Sequence, residues 1–223
     1  MTAIAPAPSK RRSYGVLRAL GLATAAASTT VLGVWIAGGA ITDDFRASMA
    51  LTGAWFISAG AASIGSLKAG RSTGLPILAG YLIAATATGG YLAATTLRDK
   101  TVHEVVATGM PASALPAAPD PQRKRNVEQA RGTFVSAEHA TTGTARVVEL
   151  ANGRRVLTLT GFETSAGPDL RVRVDPGDVD LGALKGNRGD QQYDLPQRLD
   201  PQAVRIWCRA FSALFGSARL ENS

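Results

Sequence analysis

One cysteine, Cys208, and two histidines, His103 and His139, are the residues of this chain with thiol or imidazole chemistry to offer. A thiol becomes a nucleophile or a ligand as its thiolate. With an ordinary pKa of about 8.5, only a few per cent is ionised at neutral pH. Such a group can ligate a metal or haem iron, or oxidise to sulfenic acid. Equally, a lone cysteine can fill a core as a small hydrophobe, one of its commonest uses. Both readings of Cys208 stand at this point. His139 reads either as a hydrogen-bonded structural residue or as a partner for Cys208. Convergence of the two across a sheet would make an axial pair for haem or an activated thiolate. His103 has no partner at ligand spacing. The methionines, Met1, Met49 and Met110, lie outside the C-terminal domain. No CxxCH occurs, which excludes c-type haem and leaves only a haem bound without covalent attachment. One Cys and one His fall short of the four ligands of a zinc site, so no metal site is expected. No nucleophile–base motif or phosphate loop supports hydrolase or transferase activity.

The elements that must position Cys208 follow from the sequence period. From Gly132 onward apolar residues alternate. In Leu170-Arg171-Val172-Arg173-Val174 they interleave with arginine, as in a strand with one wet face. Thr144–Leu150 and Arg155–Thr160 form two more strands, split at Asn152-Gly153 by a hairpin signal. Val204, Ile206 and Cys208 share one strand face, and Arg205, Trp207 and Arg209 the other. Phe211, Ala213 and Phe215 are expected to continue that strand beyond a bend. Short strands at this spacing predict an all-β domain over residues 132–221, sandwich or barrel-like.

Several blocks in this half resemble a known family when taken in order. They are GTFVSAEHATTG (132–143), GPDL (167–170), LKGNRGDQQYDLP (184–196) and the Trp-Cys-Arg strand at 207–209. Residues 126–221 resemble the DM-thirteen domain, a family proposed to take part in electron transfer outside the cell. The resemblance implies a redox role for the cysteine matched by Cys208 and matches His139 to the family's histidine near the first strand. Within the LKGNRGDQQYDLP block, Arg188-Gly189-Asp190 spells an adhesion tripeptide, but three residues match easily by chance. The block reads instead as loop chemistry. Gly186 and Gly189 are expected at positive φ, with Asp190 and Gln191 bonding to loop backbone, and Asp169 doing similar work after Pro168.

Charge divides the chain as sharply as hydropathy does. The net charge is +7, yet residues 132–223 carry 11 basic and 11 acidic side chains. The excess lies in residues 1–131, where 13 basic residues face 6 acidic ones. These flank uncharged runs at 22–41, 47–67 and 72–97, each long enough for about 30 Å of helix, the thickness of a hydrocarbon core. A bilayer therefore explains the basic residues better than nucleic acid, which is not expected as a partner. Residues 1–100 read as a three-helix transmembrane anchor. Three crossings put Lys10, Arg11, Arg12, Arg18, Lys68 and Arg71 on one side with no acidic residue. Arg46, Arg98 and Lys100 fall on the other, among Asp43, Asp44 and Asp99. That asymmetry predicts a cytoplasmic N-terminus and a C-terminal domain outside the cytoplasm.

Small residues recur every fourth position in the spans. Gly21, Ala25, Thr29, Gly33 and Ala37 form one ladder, and Ala50, Ala54, Ser58, Ala62 and Ser66 a second. Tyr81, Ala85, Gly89 and Ala93 line the third. Such ridges predict close helix packing, within the chain or between copies. No ionisable residue interrupts the spans, so they read as an anchor rather than a transport path. Residues 101–131, with Pro111, Pro116, Pro119, Pro121 and Arg123-Lys124-Arg125, read as an extended basic tether. Two functions remain open. One is a membrane-anchored redox or electron-transfer domain outside the cytoplasm, centred on Cys208 and serving a separate redox or cell-surface protein. The other is a non-catalytic binding or structural module in which Cys208 is core.

Overall fold

The computed structural model describes residues 10–42, 44–114 and 125–223. Asp43, Pro116, Pro119, Pro121, Arg123 and Lys124, named above, fall outside them. The chain divides into two compact units, Met1–Tyr91 and Leu92–Ser223.

Three helices, α1 (Lys10–Gly39), α2 (Phe45–Gly65) and α3 (Arg71–Thr96), are long and apolar enough to cross a membrane. Asp44 caps α2, its Oδ1 accepting from Ala47 N–H at 2.7 Å. A 3-10 turn, Ser66–Ala69, joins α2 to α3. The helices meet where glycines admit large rings. Trp55 Nε1 donates to Thr30 O at 3.1 Å across Gly33, and Tyr81 OH donates to Phe56 O at 3.0 Å across Gly60. A Cβ on Gly80 would lie 2.1 Å from Ala23 O. The first ladder contributes Gly33 and Ala37 to this packing. The second does not, because Ala50, Ala54, Ser58 and Ala62 are exposed. The inward side of α2 carries Ser48, Thr52, Gly60 and Ser63. An Ala-rich helix offers several small-residue ridges; the rings to be accommodated, and hydroxyls seeking carbonyl partners such as Ser63 Oγ to Ala59 O, select among them.

The second unit is a β domain. Its strands are β1 (Thr101–His103), β2 (Met110–Pro111), β3 (Val127–Ser136), β4 (Thr141–Glu149), β5 (Arg155–Thr164), β6 (Leu170–Asp175), β7 (Val179–Ala183), β8 (Arg188–Leu195), β9 (Ala203–Cys208), β10 (Ala213–Arg219) and β11 (Glu221–Asn222). They form one mixed sheet in the order β1-β8-β5-β4-β3-β10-β9-β6-β7, with β2 and β11 also on β3. Bulges in the β3–β4, β4–β5, β5–β8, β6–β7 and β9–β10 pairings curl it into a half-barrel rather than two stacked sheets. Leu157, Leu159, Phe162, Val172, Val174, Ile206 and Phe215 are buried in its core, and Phe134 meets Phe162 edge-on at 5.2 Å. Each such side chain contributes about 1.5–3 kcal/mol by leaving water.

Two expectations are corrected here. The described residues of 101–131 do not read as a free tether: β1 lies parallel on β8, β2 lies on β3, and β3 itself starts at Val127, while 115–124 lie outside the described residues. Backbone polar groups at a sheet edge gain partners by this, which a solvated tether would leave to water. Nor does the strand at 204–208 run on past a bend. The chain reverses at residues 209–212, with Ser212 at φ 47°, and β10 returns antiparallel with Ala213 opposite Cys208.

Candidate functional site

Cys208 ends β9, paired with Leu170 of β6 on one side and Ala213 of β10 on the other. Strand alternation puts it with Val204 and Ile206 on the core face, where all three are 0% exposed. Burial pushes the thiol pKa up. Main-chain N–H groups of Phe211, Asp169 and Ala210 act in the other direction, favouring charge on sulfur without overcoming burial. Those donors come from the 209–212 reversal and from the GPDL block, whose proximity to the cysteine no local pattern announces.

On the outer face the arginines are spent elsewhere. Arg209 Nε donates to Asp169 Oδ2 at 2.7 Å, and Arg205 pairs with Asp175 at 2.9 Å. Arg173 stands opposite Arg205 in register, and Asp178 bridges the two guanidiniums. Arg173 also lies 5.9 Å from the centre of the Trp207 ring. None of these cations is on the sulfur's side of the sheet.

His139 sits in the β3–β4 connection with its ring stacked on Phe215, centroids 4.0 Å apart. Burial lowers its pKa, and the neighbouring Glu138 carboxylate opposes that in part. Cys208 and His139 thus both adjoin β10, one opposite Ala213 and the other against Phe215. An axial haem pair needs two donors facing one open slot. Cys208 is enclosed on both edges and fully buried, and the His139 ring is laid against an aromatic face, so this arrangement does not fit a haem. Among the described residues no group of three or more His, Cys, Asp or Glu is placed to hold a metal ion.

The LKGNRGDQQYDLP block is a scaffold. Gln191, 0% exposed, accepts from the N–H groups of Lys185 and Gly186 at 3.1 and 3.3 Å and donates to Gly186 O at 2.9 Å. Tyr193 OH donates to the same Gln191 oxygen at 2.8 Å, and its pKa is raised by burial. Asp190 Oδ1 accepts from Gly161 N–H at 2.7 Å. The adhesion tripeptide lies within β8, paired on both sides by β1 and β5. Gly189 has φ 95° as expected, whereas Gly186 does not adopt positive φ. Gly186 is required for space instead, since a Cβ there would lie 2.5 Å from Lys100 O.

That approach reflects contacts the sequence did not announce. Lys100 N–H donates to Asn187 Oδ1 at 2.6 Å, and Asn187 Nδ2 donates to Asp99 Oδ1 at 2.8 Å. Lys185 Nζ pairs with Glu104 at 2.8 Å, which holds the Glu104 carboxyl below its ordinary pKa. Beside these contacts lies a cavity of about 480 Å³, walled by residues 94–100 and by the loops at 166–170 and 183–187.

Nothing among curated proteins or solved structures matches this chain. Residues 133–220, running from the second residue of the GTFVSAEHATTG block to one residue past β10, match the model of the family described as electron transfer DM13, and in this C-terminal part the likeness read from the sequence holds.

Proposed function

We propose that this chain holds a redox module at the extracytoplasmic face of a membrane, with Cys208 as the thiol that is oxidised to the sulfenic acid, water supplying the oxygen and two electrons and two protons passing to an oxidised partner. The match of residues 133–220 to an electron-transfer family carries the redox part of this reading. The choice of Cys208 is supported by its setting, where three main-chain N–H groups favour charge on a sulfur that packing alone would leave unsupported. Full burial means that a partner exchanges electrons through the protein or after the 209–212 reversal opens. The anchoring part is supported by three helices of membrane-crossing length. The outward placement is supported by the basic excess at Arg18, Lys68 and Arg71. The test is voltammetry of the full chain in lipid nanodiscs. An oxidation wave in the wild type that disappears in Cys208→Ser is expected; a silent wild type, or a wave unchanged in the variant, overturns the assignment.

One observation favours a second reading. Cys208 is 0% exposed and its pKa is raised, as for a core residue in a non-catalytic binding or structural module. On that reading both proteins are electrochemically silent, and Cys208→Ser differs only in stability.

A further inference from the structure

The cavity of about 480 Å³ in the second unit brings together both family blocks, GPDL through Gly167–Leu170 and LKGN through Leu184, Gly186 and Asn187. Its remaining wall is residues 94–100, the end of α3 and the turn that follows. Two carboxylates line it, and both are ion-paired. Asp99 pairs at 3.2 Å with Arg188, a cation it shares with Glu163 at 3.0 Å, and Asp169 pairs with Arg209 at 2.7 Å. Two cations line it as well, Arg98 and Lys100, and both are exposed with no ion pair among the described residues. With their ion-pair partners the charged groups of the cavity are four cations, Arg98, Lys100, Arg188 and Arg209, against three carboxylates, Asp99, Asp169 and Glu163, which leaves a net positive charge. Between its charged groups the walls are apolar, supplied by Ala94, Pro168, Leu170 and Leu184.

We propose that this cavity binds the phosphate headgroup of an anionic phospholipid. Arg98 and Lys100 hold the phosphate, and the apolar wall receives the glycerol and the first methylenes of the acyl chains. The location selects this ligand among anions. α3 is a 26-residue apolar helix ending at Thr96, so the residues that open the cavity begin where such a span meets the headgroup layer. Basic pockets at that level recognise acidic headgroups, each cation contributing about tenfold or less when close to the phosphate. The inference rests on α3 crossing a bilayer and is independent of any redox role for Cys208.

The full chain in a zwitterionic detergent tests this, by native mass spectrometry and thermal unfolding with phosphatidylglycerol, phosphatidylcholine or inorganic phosphate added. The expected result is phosphatidylglycerol bound at least about tenfold more tightly than phosphatidylcholine, with no comparable protection by inorganic phosphate. The paired variant Arg98→Gln with Lys100→Gln loses that preference. Arg46→Gln with Lys68→Gln removes the same charge at other helix ends and keeps it. Equal binding of the two lipids overturns the proposal, as does a preference that survives in the first variant or vanishes in the second. Equal protection by inorganic phosphate overturns the lipid as the source of the anion. Arg98 and Lys100 are exposed with no ion pair among the described residues, so these variants keep the fold, and voltammetry of Cys208 reads the redox assignment separately.

Discussion

Asp169 acts on Cys208 in two opposed ways, through its main chain and through its carboxylate. Its N–H favours charge on the sulfur, while its carboxylate, whose Oδ2 accepts from Arg209 Nε at 2.7 Å, disfavours it. Arg209 N–H returns a bond to Asp169 O at 2.9 Å, so the loop and the end of β9 are tied together twice. The sulfur thus sits among dipoles in a dry setting. Burial outweighs those dipoles, and the thiol stays protonated over a wider pH range than a free one.

Labelling kinetics should follow from that enclosure. Cys208 has no exposed surface, so a thiol reagent reaches it only when the 209–212 reversal or the whole sheet opens. Native labelling with a bulky disulfide reagent is expected to be at least about a hundredfold slower than in denaturant. Labelling at the rate of a free thiol would contradict the packing around β9.

Alkaline stability gives a second measurement. In the unfolded chain Cys208 loses its proton near pH 8.5, whereas in the folded chain it holds the proton to higher pH. The unfolded state then binds fewer protons, so stability is full below about pH 8.5 and falls as pH rises toward the folded pKa. Tyr193, also raised, adds a loss of the same sign only above about pH 10. Urea midpoints between about pH 8.5 and 10 should therefore decline in the wild type and stay flat in Cys208→Ala.

His139 acts on the acid side. Its folded pKa lies below the ordinary value of about 6.5, so its contribution is complete above that pH and is lost as pH falls through the folded pKa. Glu138 moderates the effect by favouring the imidazolium. Thermal midpoints between about pH 7.5 and 5 should fall less in His139→Phe, which keeps a ring against Phe215. They should fall more steeply in Glu138→Gln. The same slope in all three proteins would remove His139 as the cause.

What the sequence made legible and what it hid divide by the range of the interaction. Alternation at Leu170–Val174, the Asn152-Gly153 hairpin and the shared face of Val204, Ile206 and Cys208 are local, and all appear in the structure. The β1–β8 pairing joins residues far apart in sequence, and a strand of three residues carries no period of its own. The reversal at 209–212 uses Ser212 at φ 47° where glycine would have announced a turn. On α2, apolar on every side, no period distinguishes the inward ridge from the outward one. Of the donors around Cys208, Asp169 was hidden by distance in sequence, since it reaches the sulfur only because β6 lies beside β9, and Ala210 and Phe211 were hidden with the reversal that carries them.

Gln191 offers a sharp test of the scaffold that holds the cavity wall. It is fully buried and accepts or donates four bonds, to Lys185 N, Gly186 N, Gly186 O and the Tyr193 hydroxyl. Gln191→Leu matches its volume but leaves Gly186 O and the hydroxyl without that partner in a dry site. An unmet buried polar group costs about 1–3 kcal/mol. Gln191→Glu keeps the acceptor but deprives Gly186 O of its donor and buries a charge, so at neutral pH it should be worse than Leu. Urea midpoints ranked wild type, Leu, then Glu are expected, with the gap between Leu and Glu closing as pH drops below about 5 and the carboxyl takes up its proton. A Leu variant as stable as the wild type would mean that the block is held by its backbone pairing with β1 and β5 alone.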